Sequence, residues 1–178
     1  MFALSSDYDS SDKTTQNFFA ATQNKLIYAV THKTAAELIL SRADSSKPNM
    51  ALTSWKGSIV RKQDIYVSKN YLTKDELDIL NRIVIIFLET AELRAKMRKD
   101  LTMLYWKENF DKILVDNGFS LLNDKGVRSH QQMEKKVESI YLEFDTKRKA
   151  FYASEADKSD ELELKALENL EKKLKAKK

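Results

Sequence analysis

The residues best suited to chemistry cluster in one block, RADSSKPNMALTSWKG, which starts at Arg42. It holds Arg42, Asp44, Lys47, Asn49, Met50, Thr53, Trp55 and Lys56: cations, a carboxylate, an amide, a hydroxyl and an aromatic platform on irregular backbone. Such a set can bind, with polar groups converging beside an indole face. The simpler reading is that Met50, Leu52 and Trp55 plug the loop onto a core. No second set competes as a catalytic centre. The chain has no cysteine and only two histidines, His32 and His130, each beside a predicted helix cap and neither with a partner at metal-ligand spacing, so no metal and no cofactor is implied. There is no HExxH and no glycine-rich phosphate loop. Ser54 and Ser68 lack a nucleophile elbow, and Glu37 and Glu76 read as capping carboxylates rather than general acids. The balance leans away from an enzyme.

A second candidate surface is cationic. Arg61, Lys62, Lys69, Arg94, Lys96, Arg98 and Lys99 could meet nucleic-acid phosphates, and the chain is mildly basic, at +4 with a pI near 9.0. A solvated charged face explains the same residues more simply.

Helices must position all of these. With 3 glycines, 1 proline and 42% hydrophobic residues in 178, the composition indicates a mainly α protein. The central element is LTKDELDILNRIVIIFLETAELRAKMRK, from Leu72 to Lys99. Thr73 and Glu76 have capping-box spacing, and Leu72 and Leu77 form a hydrophobic staple. Leu77, Leu80, Val84, Leu88 and Ala91 make one apolar stripe and Ile79, Ile83 and Ile86 a second, which predicts a post covered on two sides. Before it, residues 1–13 read as an extended or frayed lead, a first helix runs from Asp12 or Thr14 to about Val30, and the Thr34/Glu37 box opens a short second helix.

Residues 44–71 are then an irregular insertion, or a β-hairpin using Ile59, Val60, Ile65, Tyr66 and Val67, interrupted by Pro48. Its length makes it the expected working surface. After the post, Asp100 or Thr102 caps a helix that buries Leu104, Trp106, Phe110, Ile113 and Leu114 and stops at Asn117 and Gly118. Ser129 and Gln132 box the start of another, with Met133, Val137, Ile140, Tyr141, Phe144 and Phe151 laid along a core. Past Ala153 the composition becomes charged. A single helical-bundle domain over residues 1–155 with a charged helical or disordered tail over 156–178 is expected. That tail is a solvated helix, a short coiled-coil contact or a lysine tail for phosphate. The N-terminus lacks a secretory pattern, no apolar run reaches the roughly 20 residues of a span, and the absence of cysteine fits a reducing cytoplasm, so a cytoplasmic protein without a membrane anchor is expected.

FFAATQNKL, KTAAELILSRAD, SKPNMALTSWKG, VRKQDIYVSKNYLTKDELDILNRIV and MLYWKENFDKIL resemble, in order, the C-terminal region of the RhuM family of bacterial virulence-associated proteins, from about Phe2 to Phe110 and more loosely to Tyr152. Longer members of that family carry an N-terminal region similar to DNA-binding modules. The virulence label comes from genomic setting rather than from a reaction, so the resemblance implies no catalytic residue. Where the family pattern has NKLHWAITGKTAAE this chain has NKLIYAVTHKTAAE, with Ile27 in place of a histidine and His32 in place of a glycine. Had that histidine been catalytic, this copy would be impaired. Three functions follow as expectations: a non-enzymatic interaction or regulatory module that binds a protein partner or itself, a toxin-like nucleotidyl or phosphoryl transferase, and an accessory nucleic-acid binder.

Overall fold

The computed structural model describes residues 5–123 and 126–175. Five α-helices make up the described chain: α1 (Lys13–Thr31), α2 (Ala35–Arg42), α3 (Lys74–Lys96), α4 (Met103–Asp116) and α5 (His130–Lys175). Each begins where a side chain can satisfy free N–H groups. The Asp12 carboxylate accepts from Thr15 at α1, complete capping boxes open α2 (Thr34, Glu37) and α3 (Thr73, Glu76), Thr102 caps α4, and Ser129 and Gln132 exchange bonds at α5. Of the extended or frayed alternatives for the lead, its described part is tied down rather than frayed. The Ser6 N–H donates to the Leu101 carbonyl at 2.9 Å, and the Asp7 carboxylate accepts from Met103 at 2.7 Å, which pins the lead to the start of α4.

The residues between α2 and α3 form three 3-10 turns, Pro48–Ala51, Asp64–Tyr66 and Ser68–Tyr71, with no strand among the described residues. The irregular form wins because local bonds absorb the backbone. The Asp64 carboxylate accepts from the Arg61 N–H, Asn70 donates to the Asp64 carbonyl, and Thr53 bonds the Asn70 and Leu72 carbonyls. No pair of runs is left free to form a ladder.

The insertion is also half of the core. Met50, Leu52, Val60, Ile65 and Tyr71 are buried with Ala36 and Ile39 of α2 and with Met133, Val137 and Phe144 of α5. A second core joins Ala29 of α1, Ile83, Phe87 and Ala91 of α3, and Trp106, Phe110 and Leu114 of α4. Ile27, Leu38, Leu72 and Leu80 form a narrow strip between them. So the post is covered on one side only. Leu80, Ile83, Phe87 and Ala91 are buried, while Ile79, Leu88, Ile85 (53%) and Leu93 (59%) are exposed, because α4 and α1 pack on the same side. Two further expectations are corrected. Leu104 is 60% exposed, since in the first turn of α4 it points away from Trp106, and Phe151 is 62% exposed, because α5 has already left the body.

The turn Pro48–Ala51 has an unusual backbone: Asn49, Met50 and Ala51 all have positive φ, at 53°, 56° and 62°. Left-handed geometry costs an L-residue about 1–2 kcal/mol, and burial of Met50 offsets it here. Ala51→Gly is expected to raise stability by about 1 kcal/mol, because glycine adopts that φ without a Cβ clash. A lower thermal midpoint in calorimetry would contradict the strain.

Candidate functional site

The block from Arg42 to Lys56 is built into the fold. Arg42, at the end of α2, donates through both terminal nitrogens to the Glu76 carboxylate at 2.6 and 2.5 Å and also to the Tyr71 carbonyl. That fork holds the Glu76 carboxyl down to about 2, well below its ordinary value, while the Thr73 N–H bonds the same group. Asp44 accepts from the Ser46 N–H and hydroxyl, which lowers its pKa too. Met50 is buried, Trp55 packs half-buried on the insertion core, Thr53 is bonded to two carbonyls, Asn49 is half-buried, and Lys47 and Lys56 are exposed. Arg42 is engaged in a clasp with Glu76, and Met50, Leu52 and Trp55 seal the loop.

The cations divide similarly. Lys62 pairs with Glu138, Arg94 lies 3.7 Å from the Tyr105 ring centre and donates to the Asp100 carbonyl, and Lys96 pairs with Glu92. Arg98 and Lys99 border a shallow hollow at the end of α3 that also includes Asp100 and Glu92. Arg61 is exposed beside Gly57.

Lys69 lies elsewhere, on a cleft of about 1270 Å³. Ile27 of α1, Leu80 and Val84 of α3 and Tyr66 of the insertion make its floor, and Lys69 and Arg128 stand on its rim. Its walls are fixed. The Asn24 amide oxygen accepts from the Ala35 N–H, and Glu37 accepts from the Thr34 N–H and, across the cleft, from the Val127 N–H at 2.7 Å, which together hold its carboxyl below the ordinary range. A side chain at Gly126 would meet Thr34 at 2.6 Å, so only glycine lets the incoming loop approach that cap. His32 ends α1 at φ 54° against the ring of Tyr28, and His130 pairs with Glu134, so the two histidines stay apart. Sequence reasoning missed the cleft, because five separate segments meet there and no short motif marks it.

The last structural feature is an arm. α5 has 46 residues, about 69 Å at 1.5 Å per residue. It packs on α2 and the Asp64–Tyr66 turn as far as Arg148, whose guanidinium bonds the Val60 carbonyl and Asp145. From Lys149 to Leu167 every residue is exposed, including Phe151, Tyr152, Leu162, Leu164 and Leu167. No helix among the described residues is long and apolar enough to cross a membrane.

Among known proteins, the model of the virulence protein RhuM family matches residues 1–152. No curated protein and no solved structure matches the chain.

Proposed function

The chain belongs to the virulence protein RhuM family, and we propose that it serves there as a non-enzymatic interaction module whose body presents the arm of α5 to a protein partner. The observation that carries this reading is the bare arm, on which Phe151, Tyr152 and Leu162 stand in solvent on a helix that nothing in the body covers. Helices draw most of their stability from packing an apolar face, and an unpacked one gains it by docking. The ion pairs of Lys158 with Glu155 and Lys165 with Glu161 support the arm until then. The transferase alternative leans on Arg42 and Asn49, and the nucleic-acid alternative on cations such as Lys62, Arg94 and Lys96. The contacts that Arg42, Lys62, Arg94 and Lys96 make inside the fold favour the interaction reading over both.

A photo-crosslinking residue at Leu162, used in the cells that express the protein, is expected to give one discrete adduct, with none from the same probe at exposed Glu108 on α4. Equal yields at the two positions would remove the arm as the working surface.

A further inference from the structure

Resting on that reading of the arm, we infer that its partner is a second copy of this chain, bound antiparallel. The order of charge along the helix sets this direction. Residues 155–163 hold five acids (Glu155, Asp157, Asp160, Glu161 and Glu163) against the single Lys158, whereas residues 165–175 hold four lysines against Glu168 and Glu171. α5 continues through both segments as one helix to Lys175, so the acidic stretch cannot fold back onto the basic one within a chain. A parallel pair stacks acid on acid and lysine on lysine. An antiparallel pair lays each acidic segment on the partner's lysine segment at both ends of the contact. The crossing then falls near Lys165, where Leu164 and Leu167 supply exposed apolar surface for the middle of the contact. With about 1.5 Å per residue, the crossing stands about 25 Å from Arg148, where α5 leaves the body. Two bodies therefore clear one another.

Exposed ion pairs hold such a contact weakly and are screened by salt. Light scattering behind size exclusion is expected to find a dimer at low ionic strength that shifts to monomer at about 1 M salt. Asp157→Lys with Glu161→Lys, and separately Lys172→Glu with Lys173→Glu, should each weaken the dimer by on the order of tenfold. An equimolar mixture of the two variants should pair again. Direction is read from single cysteines, which are unambiguous in a cysteine-free chain. With a short bismaleimide, Ser154→Cys mixed with Lys175→Cys should crosslink, and Ser154→Cys alone should not. Self-crosslinking of Ser154→Cys, or a strict monomer at low salt, overturns the inference. If the Leu162 probe meanwhile captures a different protein, the arm remains an interaction surface and only self-pairing falls; if it captures nothing, both fall.

Discussion

Phe87→Ala should lower the unfolding free energy by about 4 kcal/mol, the largest effect expected of any single substitution in this chain. Phe87 is fully buried in the middle of α3, stacked on Phe110 with ring centres 4.6 Å apart and planes 8° from parallel, and edge-on to Trp106 at 5.8 Å. Removing it deletes the aromatic stack between α3 and α4, and α4 is held against closing the hole: Thr102 and the Asp7 carboxylate fix its start, and the Lys25 to Asp111 ion pair ties it to α1. Phe87→Leu, which keeps most of the volume, should cost roughly 1.5 kcal/mol. Chemical denaturation read by Trp106 fluorescence in a Trp55→Phe background checks both. A loss under about 1 kcal/mol for Phe87→Ala would mean that the site collapses freely and that α3 is not the hub of this core.

Much of this architecture was legible in the chain because caps are local. Thr73 with Glu76, Thr34 with Glu37, and Ser129 with Gln132 act over three residues, and spacing alone identifies them. What spacing does not contain is which apolar stripe finds a neighbour. Ile79 and Leu88 look as buriable as Leu80 and Phe87, and only the packing of α1 and α4 on one side decides between them. The role of the insertion was legible in part: residue type marks Met50, Leu52 and Trp55 as plugs, whereas Val60 and Ile65 read equally well as strand residues, and only packing under α2 and α5 shows that they join the same core. Among the residues singled out for chemistry, Arg42 stands out by type, but its partner Glu76 lies thirty-four residues on, which composition does not show.

Arg42→Ala should do something different from a core truncation, because Arg42 and Glu76 stand where the two cores meet. Arg42 ends α2, which belongs to the insertion core, and Glu76 lies in the first turn of α3, which carries the other. The strip of Ile27, Leu38, Leu72 and Leu80 and the Asn24 to Ala35 hydrogen bond also join them. Losing a two-pronged charge-assisted contact that also bonds the Tyr71 carbonyl should cost about 2 kcal/mol, after allowance for the solvent access that both groups retain. The pH dependence has a definite sign. Glu76 ionises near 4.5 when unfolded and at about 2 when folded, so its contribution is complete above 4.5 and drains away as pH falls from 4.5 toward 2. In the Arg42→Ala variant that part of the acid slope should flatten, since the group that depresses the carboxyl is gone. Because Trp55 sits in one core and Trp106 in the other, single-tryptophan versions of the variant should also unfold at separate denaturant midpoints, whereas the parent chain gives coincident ones. Coincident midpoints in the variant would show that the remaining contacts couple the halves, and an unchanged acid slope would show that Glu76 owes its low pKa to the Thr73 N–H instead.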